Sequence, residues 1–135
     1  MARAVVTLIL CVAFDVTIGK YVFITQQKTW SEAQTYCRTS YTDLAYVKNE
    51  IDFGLLLTSS GQNSPKGWIG LYRDPYNPSI WRWSGAGLMT YSFWGSGQPN
   101  NYDGRQNRVC VQDDKTWNDQ SEDLHFHSIA SKILW

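Results

Sequence analysis

Hydrophobic residues change their spacing near Gly61 of this 135-residue chain, and that change restricts the folds open to it. Before Gly61, apolar residues recur at spacings of three and four, as they do on amphipathic helices. After Gly61 this spacing is absent, and short runs rich in aromatic and β-branched residues predict strands. Two helices followed by several short strands favour a single α+β domain.

The first helix is predicted from Thr29 and Glu32, which have the spacing of a capping box. Its inward face is expected to carry Trp30, Ala33, Tyr36 and Cys37. A second helix is predicted over residues 49–57, with Ile51, Leu55 and Leu56 facing the core. Strands are predicted over residues 21–24, 44–47, 68–71, 80–84 and 109–111, and from residue 116 onward.

Residues 85–108 contain no convincing regular element and are rich in Gly, Asn, Ser and aromatic residues. A loop of this length inside a compact domain usually carries function or is disordered. Tyr91, Phe93 and Trp94 are side chains of the kind that proteins bury, so we expect an ordered loop. The long loop is therefore where a functional site is predicted.

The first 19 residues are predicted to be a signal peptide, with residues 20–135 as the domain. Arg3 gives a positive start, and residues 4–14 are apolar apart from Thr7. Such a run suits a signal-peptide core and is too short to span a bilayer comfortably. The alternative is a buried N-terminal strand or helix. Cleavage after Gly19 would deliver the chain to the extracellular space, with no membrane span.

Charge and composition exclude several classes of function. Twelve basic and twelve acidic residues cancel, so no basic field favours nucleic-acid binding. The chain has no phosphate-binding glycine loop and no recognisable nucleophile–base pair, and we expect that it is not an enzyme. His125 and His127 lack a nearby third ligand, which disfavours zinc. Seven Trp and eight Tyr supply rings suited to a packed core and to recognition surfaces.

Several short motifs, taken in order, resemble the C-type lectin-like domain over about residues 21–119. They are Trp30-Ser31-Glu32-Ala33, Tyr36-Cys37, Asp43-Leu44-Ala45, Trp68-Ile69-Gly70-Leu71, Trp81-Arg82-Trp83-Ser84, Gly97-Gln98-Pro99-Asn100-Asn101, Cys110-Val111 and Trp117-Asn118-Asp119. The resemblance implies two helices packed on short, mainly antiparallel sheets with a long irregular loop. It also implies structural roles for Trp30, Cys37, Trp68, Trp83, Cys110 and Trp117.

The same resemblance implies where a ligand binds. Sugar-binding members of the family hold a calcium ion in the long loop, beside a cis proline, and share it with sugar hydroxyls. The matching residues are Gln98, Asn100, Asn118 and Asp119, as carbohydrate contacts and as calcium ligands. Because calcium affinity follows the charge of its ligands, and Asp119 is the only acid of the four, we expect calcium binding to be weak or lost.

Two further positions bear on the ion. The family's Glu before the cysteine corresponds to Gln106 or Arg108, depending on which motif is used for counting. Neither is a carboxylate, and Arg108 would repel a cation. Asp103 is a further acid in the loop, but no motif places it at the site.

The cysteines depart from the family pattern. With Cys11 in the signal peptide, one bridge between Cys37 and Cys110 is the simple interpretation of a secreted chain. The resemblance instead implies two disulfides, each joining one of these residues to a partner that the sequence lacks. We therefore expect two free thiols, and an incomplete C-terminal strand in the divergent segment 120–135.

The leading hypothesis is a secreted module that recognises carbohydrate with little or no dependence on calcium. The alternative is a module of the same fold that binds an extracellular protein or an ice surface without calcium.

Overall fold

The computed structural model of the protein describes residues 19–132. Its elements are β1 (Tyr21–Lys28), α1 (Trp30–Ser40), β2 (Asp43–Leu44), α2 (Glu50–Thr58), β3 (Gly67–Arg73), β4 (Trp81–Trp83), β5 (Gln106–Val111), β6 (Trp117–Ser121) and β7 (Phe126–Ser131). The predicted α+β class is confirmed. The predicted signal peptide lies outside the described residues, apart from Gly19. In residues 19–132 we find no helix that is long and apolar enough to cross a membrane.

The strands form one sheet in the order β1-β7-β3-β5-β6, with β2 attached to β7 and β4 attached to β3. Every pairing is antiparallel except that of β3 with β7, where Trp68 lies opposite Ser128. The sheet is therefore mainly antiparallel, as expected. The loop between β4 and β5 is the longest connection among the described elements, and it contains no helix or named strand.

The described part of the divergent segment 120–135, where an incomplete C-terminal strand is predicted, contains the six-residue strand β7. β7 pairs with β1, β2 and β3, and its residues Ile129 and Ala130 are fully buried. Backbone N–H and C=O groups supply these pairings whatever the side chains are. The missing cysteines therefore do not prevent this segment from joining the middle of the sheet.

Helix α1 begins as the sequence predicts. The Thr29 side chain accepts a hydrogen bond from the Glu32 N–H, and the Glu32 side chain accepts one from the Thr29 N–H. Trp30, Ala33 and Cys37 are buried, while Tyr36 is partly buried. The Trp30 indole N–H donates to the Ile69 carbonyl over 2.9 Å, which fixes α1 against β3.

Helix α2 presents a different face to the core from the predicted one. Phe53 and Leu56 are buried and Leu55 is partly buried, but Ile51 is 76% exposed. Asn49 caps the helix by accepting from the Asp52 N–H. Residues two positions apart in an α-helix lie about 200° apart around its axis. Burial of Phe53 therefore turns Ile51 toward solvent. The prediction for Ile51 is wrong.

The interior consists of two clusters of buried side chains. The larger contains Phe53, Leu56, Ile69, Leu71, Trp81, Trp83, Val109, Val111, Trp117 and Ile129, among others. The smaller contains Ile24, Trp30, Ala33, Cys37, Leu44, Trp68, Cys110 and Ala130. The six residues that the sequence marks as structural are all buried, at 4% exposure or less.

Cys37 and Cys110 are free thiols in the smaller cluster. Burial raises the pKa of each thiol to about 12. Since the thiolate is the reactive form, both groups are expected to be inert in the folded protein.

The packing of α2 is tested by two alanine substitutions on the same helix. Phe53→Ala removes a buried ring and should lower the free energy of unfolding by about 3–5 kcal/mol. Ile51→Ala removes an exposed side chain and should change it by less than about 0.5 kcal/mol. Urea denaturation followed by Trp fluorescence measures both. Equal effects of the two substitutions would contradict the observed helix orientation.

The state of the cysteines is tested by alkylation with iodoacetamide at mildly alkaline pH, followed by mass spectrometry of peptides. Cys37 and Cys110 should stay unmodified in the native protein and react fully in concentrated guanidinium chloride, because burial keeps them protonated and inaccessible. Rapid native labelling would show that the smaller cluster is open. A peptide pair linked through these two residues would show the bridge instead.

Candidate functional site

The long loop lies against β6 through backbone hydrogen bonds. The Trp117 N–H donates to the Phe93 carbonyl over 2.8 Å, and the Gly95 N–H donates to the Trp117 carbonyl over 2.9 Å. Trp94 and Trp117 form an isolated parallel bridge. The structure therefore brings the two predicted site segments together, and the Gln98–Pro99 bond is cis, as expected.

Trp117 holds the base of the loop by packing against four other rings. It is fully buried and makes edge contacts with Phe53, Trp83, Tyr91 and Trp94 at centroid distances of 5.6, 5.8, 5.8 and 6.1 Å. Edge-to-face contacts of this kind are favoured by the ring quadrupoles. α2, β4 and the long loop are thus joined at one residue of β6.

Asp119 binds the tip of the loop. Its carboxylate is fully buried and accepts hydrogen bonds from the backbone N–H groups of Asn100, over 3.1 Å, and Asn101, over 2.7 Å. It also lies 3.3 Å from a guanidinium nitrogen of Arg73. Asp119 therefore positions the loop, and its charge is balanced within the protein.

Arg73 is the residue at this site that the sequence did not reveal. Besides Asp119, its guanidinium donates to the Pro78 carbonyl, the Gln106 carbonyl and the Asn107 side chain, at 2.8, 3.2 and 3.2 Å. Burial lowers the pKa of the guanidinium, and the Asp119 carboxylate opposes that shift. Arg73 and Asp119 are 46 residues apart, so no local pattern could have paired them.

Gln98 and Asn100 lie on either side of the cis proline. Asn100 is exposed, while Gln98 is partly buried and its Oε1 atom has no hydrogen-bond partner among residues 19–132. An unpaired buried oxygen is unfavourable and gains from any donor brought to it. Asn100 is therefore the exposed amide of the loop tip, while the Gln98 Oε1 atom beside it is buried and unpaired.

Asn118 has a buried Oδ1 atom with no hydrogen-bond partner among residues 19–132. It lies opposite Cys110 of the smaller cluster, whereas Asp119 and Trp117 lie opposite Val109 and Val111 of the larger cluster. Because side chains alternate along a strand, Asn118 and Asp119 point to opposite faces of the sheet. Strand register thus separates the side chains of the two predicted residues that lie on β6.

Gln106 and Arg108, the two positions that correspond to the Glu of the family pattern, form contacts with other residues of the protein. Gln106 accepts from the Tyr102 N–H, and its own N–H donates to the Asn101 side chain. Arg108 forms an ion pair with Glu122 at 3.0 Å and stacks on the Trp30 ring.

The remaining polar side chains singled out in the sequence also have roles outside a metal site. Asp103 accepts from the Arg105 N–H. His125 and His127 line a separate groove of about 460 Å³ beside β1 and β7. No group of three or more His, Cys, Asp or Glu side chains that could hold a metal ion occurs in the described part of the chain.

The donor set at the loop tip does not fit a calcium ion. Calcium takes six to eight oxygens and needs carboxylate charge. The one carboxylate here already accepts two N–H groups and faces a guanidinium. A divalent ion on the same carboxylate would also be repelled by that guanidinium, which lies 3.3 Å from a carboxylate oxygen.

A cleft of about 580 Å³ adjoins the loop tip. Its lining residues include Pro75, Pro78, Asn101 and Arg105. Polar and charged side chains line most of it, so the cleft is suited to a hydroxyl-rich ligand.

Comparison with known proteins agrees with this geometry. A family model described as the Lectin C-type domain matches residues 26–129. C-type lectin domain family 4 member F of Mus musculus is 33% identical over 109 residues, which cover 75% of this chain and 19% of that protein. The chain thus spans about a fifth of that relative's length.

Solved structures agree as well. The C-type lectin CEL-I from Cucumaria echinata superposes with a TM-score of 0.71 at 26% identity, covering 81% of this chain and 86% of that one. Herring type II antifreeze protein superposes with a TM-score of 0.72 at 22% identity, covering 85% and 91%, and shows the shared fold alone. Since the Lectin C-type domain accounts for most of its length, this chain belongs to the C-type lectin domain family.

Proposed function

We propose that this protein is a secreted module that recognises carbohydrate through the loop tip at Gln98 and Asn100, with little or no dependence on calcium. The observation that carries the proposal is the pair of hydrogen bonds from the Asn100 and Asn101 backbone to Asp119. They fix the loop backbone and leave the Asn100 amide exposed. Membership of a family of carbohydrate-recognition domains supports the same ligand class.

The chemistry of the loop tip favours a neutral, hydroxyl-rich ligand. An amide carries one acceptor and two donor hydrogens, so it can both accept from and donate to neighbouring hydroxyls. The adjoining cleft carries acidic and basic side chains together, including Arg105 and Asp123, and gives no preference for an anion. The protein acts by binding in this proposal, and turnover of a sugar or an ester would contradict it.

A second candidate is recognition of a protein or ice surface without calcium. Tyr76 and Tyr102 are 95% and 85% exposed, and each is adjacent in sequence to a residue that lines the cleft. Exposed tyrosines are typical of protein-binding surfaces. An ice surface is included in this second candidate because the fold is similar to that of an antifreeze protein.

The carbohydrate proposal predicts binding to a glycan array in the presence of EDTA. Asn100→Ala removes one exposed amide and should weaken that binding by about tenfold, the effect of losing one or two hydrogen bonds. The Asn100 side chain is exposed and makes no hydrogen bond within residues 19–132, so thermal stability should not change.

Asn63→Ala is the matched control, because Asn63 is an exposed amide on the separate groove beside β1. It should leave glycan binding intact. Binding that disappears with EDTA would contradict the calcium-independent site. An array with no bound glycan would favour the second candidate.

Secretion is a separate part of the proposal. β1 begins at Tyr21, so cleavage after Gly19 would leave every described strand and helix in place. Expression in cultured animal cells should therefore release a protein whose N-terminus, read by Edman sequencing, is Lys20. Ile9→Arg places a charge in the apolar run and should keep the protein inside the cell. Retention of the unaltered chain inside the cell would contradict secretion.

A further inference from the structure

We propose that Arg73 serves as a built-in cation that holds Asp119 and the long loop in place, so that the loop keeps its binding conformation without a divalent ion. This inference deepens the proposed function, because it explains how the loop stays fixed when calcium is absent. It concerns the ligand-free protein and is tested without any sugar.

The first support is the set of oxygens around the guanidinium. Carbonyl oxygens of Pro78 and Gln106, a side-chain oxygen of Asn107 and a carboxylate oxygen of Asp119 lie 2.8 to 3.3 Å from its nitrogens. Three neutral oxygens and one carboxylate are the kind of ligand that a hard cation collects. Here a protein cation occupies their centre.

The second support is the number of elements that meet there. Arg73 ends β3, Pro78 lies in the loop between β3 and β4, Gln106 begins β5, and Asp119 belongs to β6. Asp119 in turn accepts the Asn100 N–H of the loop tip. A single side chain thus connects three strands to the loop, as a bound ion would.

The third support is burial. The Arg73 side chain is 13% exposed and that of Asp119 is fully buried. The guanidinium also lies 4.3 Å from the centre of the Trp81 ring, which packs on Trp94 of the long loop at 5.0 Å. A planar cation held between a ring and four oxygens is fixed in position, unlike an exposed surface ion pair.

The test compares melting temperatures of the full chain in EDTA and in millimolar calcium chloride. The unaltered protein should melt at the same temperature in both. Arg73→Met keeps the aliphatic stem and removes the cation, so it should melt about 10 °C lower or more in EDTA. Calcium should then raise the melting temperature of Arg73→Met by about 3 °C, because Asp119 is left with no cation.

Two variants control this comparison. Arg82 lies on the neighbouring strand β4, and its side chain is 42% exposed. Arg82→Met breaks the ion pair with Asp74 and should show no calcium response. Adding Asp119→Asn to Arg73→Met should abolish the response. If Arg73→Met does not fold, Arg73→Lys keeps a positive charge and should melt lower than the unaltered protein while remaining indifferent to calcium.

A calcium-dependent rise in the melting temperature of the unaltered protein would overturn the inference, and so would identical responses of Arg73→Met and Arg82→Met. Neither result bears on whether the protein binds sugar. Conversely, failure to bind any glycan would remove the proposed function and leave the role of Arg73 standing.

Discussion

The packing of Trp117 is the interaction on which most of the structure depends. Its ring contacts α2, β4 and two positions of the long loop, and its backbone N–H and C=O both bind that loop. A long connection without its own secondary structure must satisfy its polar backbone and bury its rings elsewhere. Trp117 meets both needs, and the loop therefore has a defined path across the larger core cluster.

Asp119, two residues further along β6, also holds the long loop, but through charge and hydrogen bonds rather than through aromatic packing. It binds the loop tip through two backbone N–H groups and binds Arg73 from the opposite direction. Burial of one partner alone would be costly, so the two ions stabilise the fold only as a pair. The proposed binding surface at Gln98 and Asn100 is thus held by one aromatic anchor, Trp117, and one ionic anchor, Asp119.

The smaller cluster shows how the fold persists without disulfides. Cys37 and Cys110 pack there as buried thiols, and Ala130 of β7 is buried in the same cluster. Thiols pack as small apolar groups, and the backbone pairings of β7 with three strands hold the sheet together. A bridge would add stability chiefly by restricting the unfolded chain, so its loss leaves these folded contacts available.

The sequence by itself determined the class of the domain, the capping box of α1, the buried tryptophans and the long loop with the candidate site, because these follow from local spacing and from motifs a few residues long. Tertiary structure decided the rest. Which face of α2 is buried depended on the aromatic partners of Phe53, which lie far along the chain. Strand register decided that the side chains of Asn118 and Asp119 point to opposite faces of the sheet. The charge of Asp119 is balanced by Arg73, which is 46 residues away in sequence and lies beside it only because of the fold.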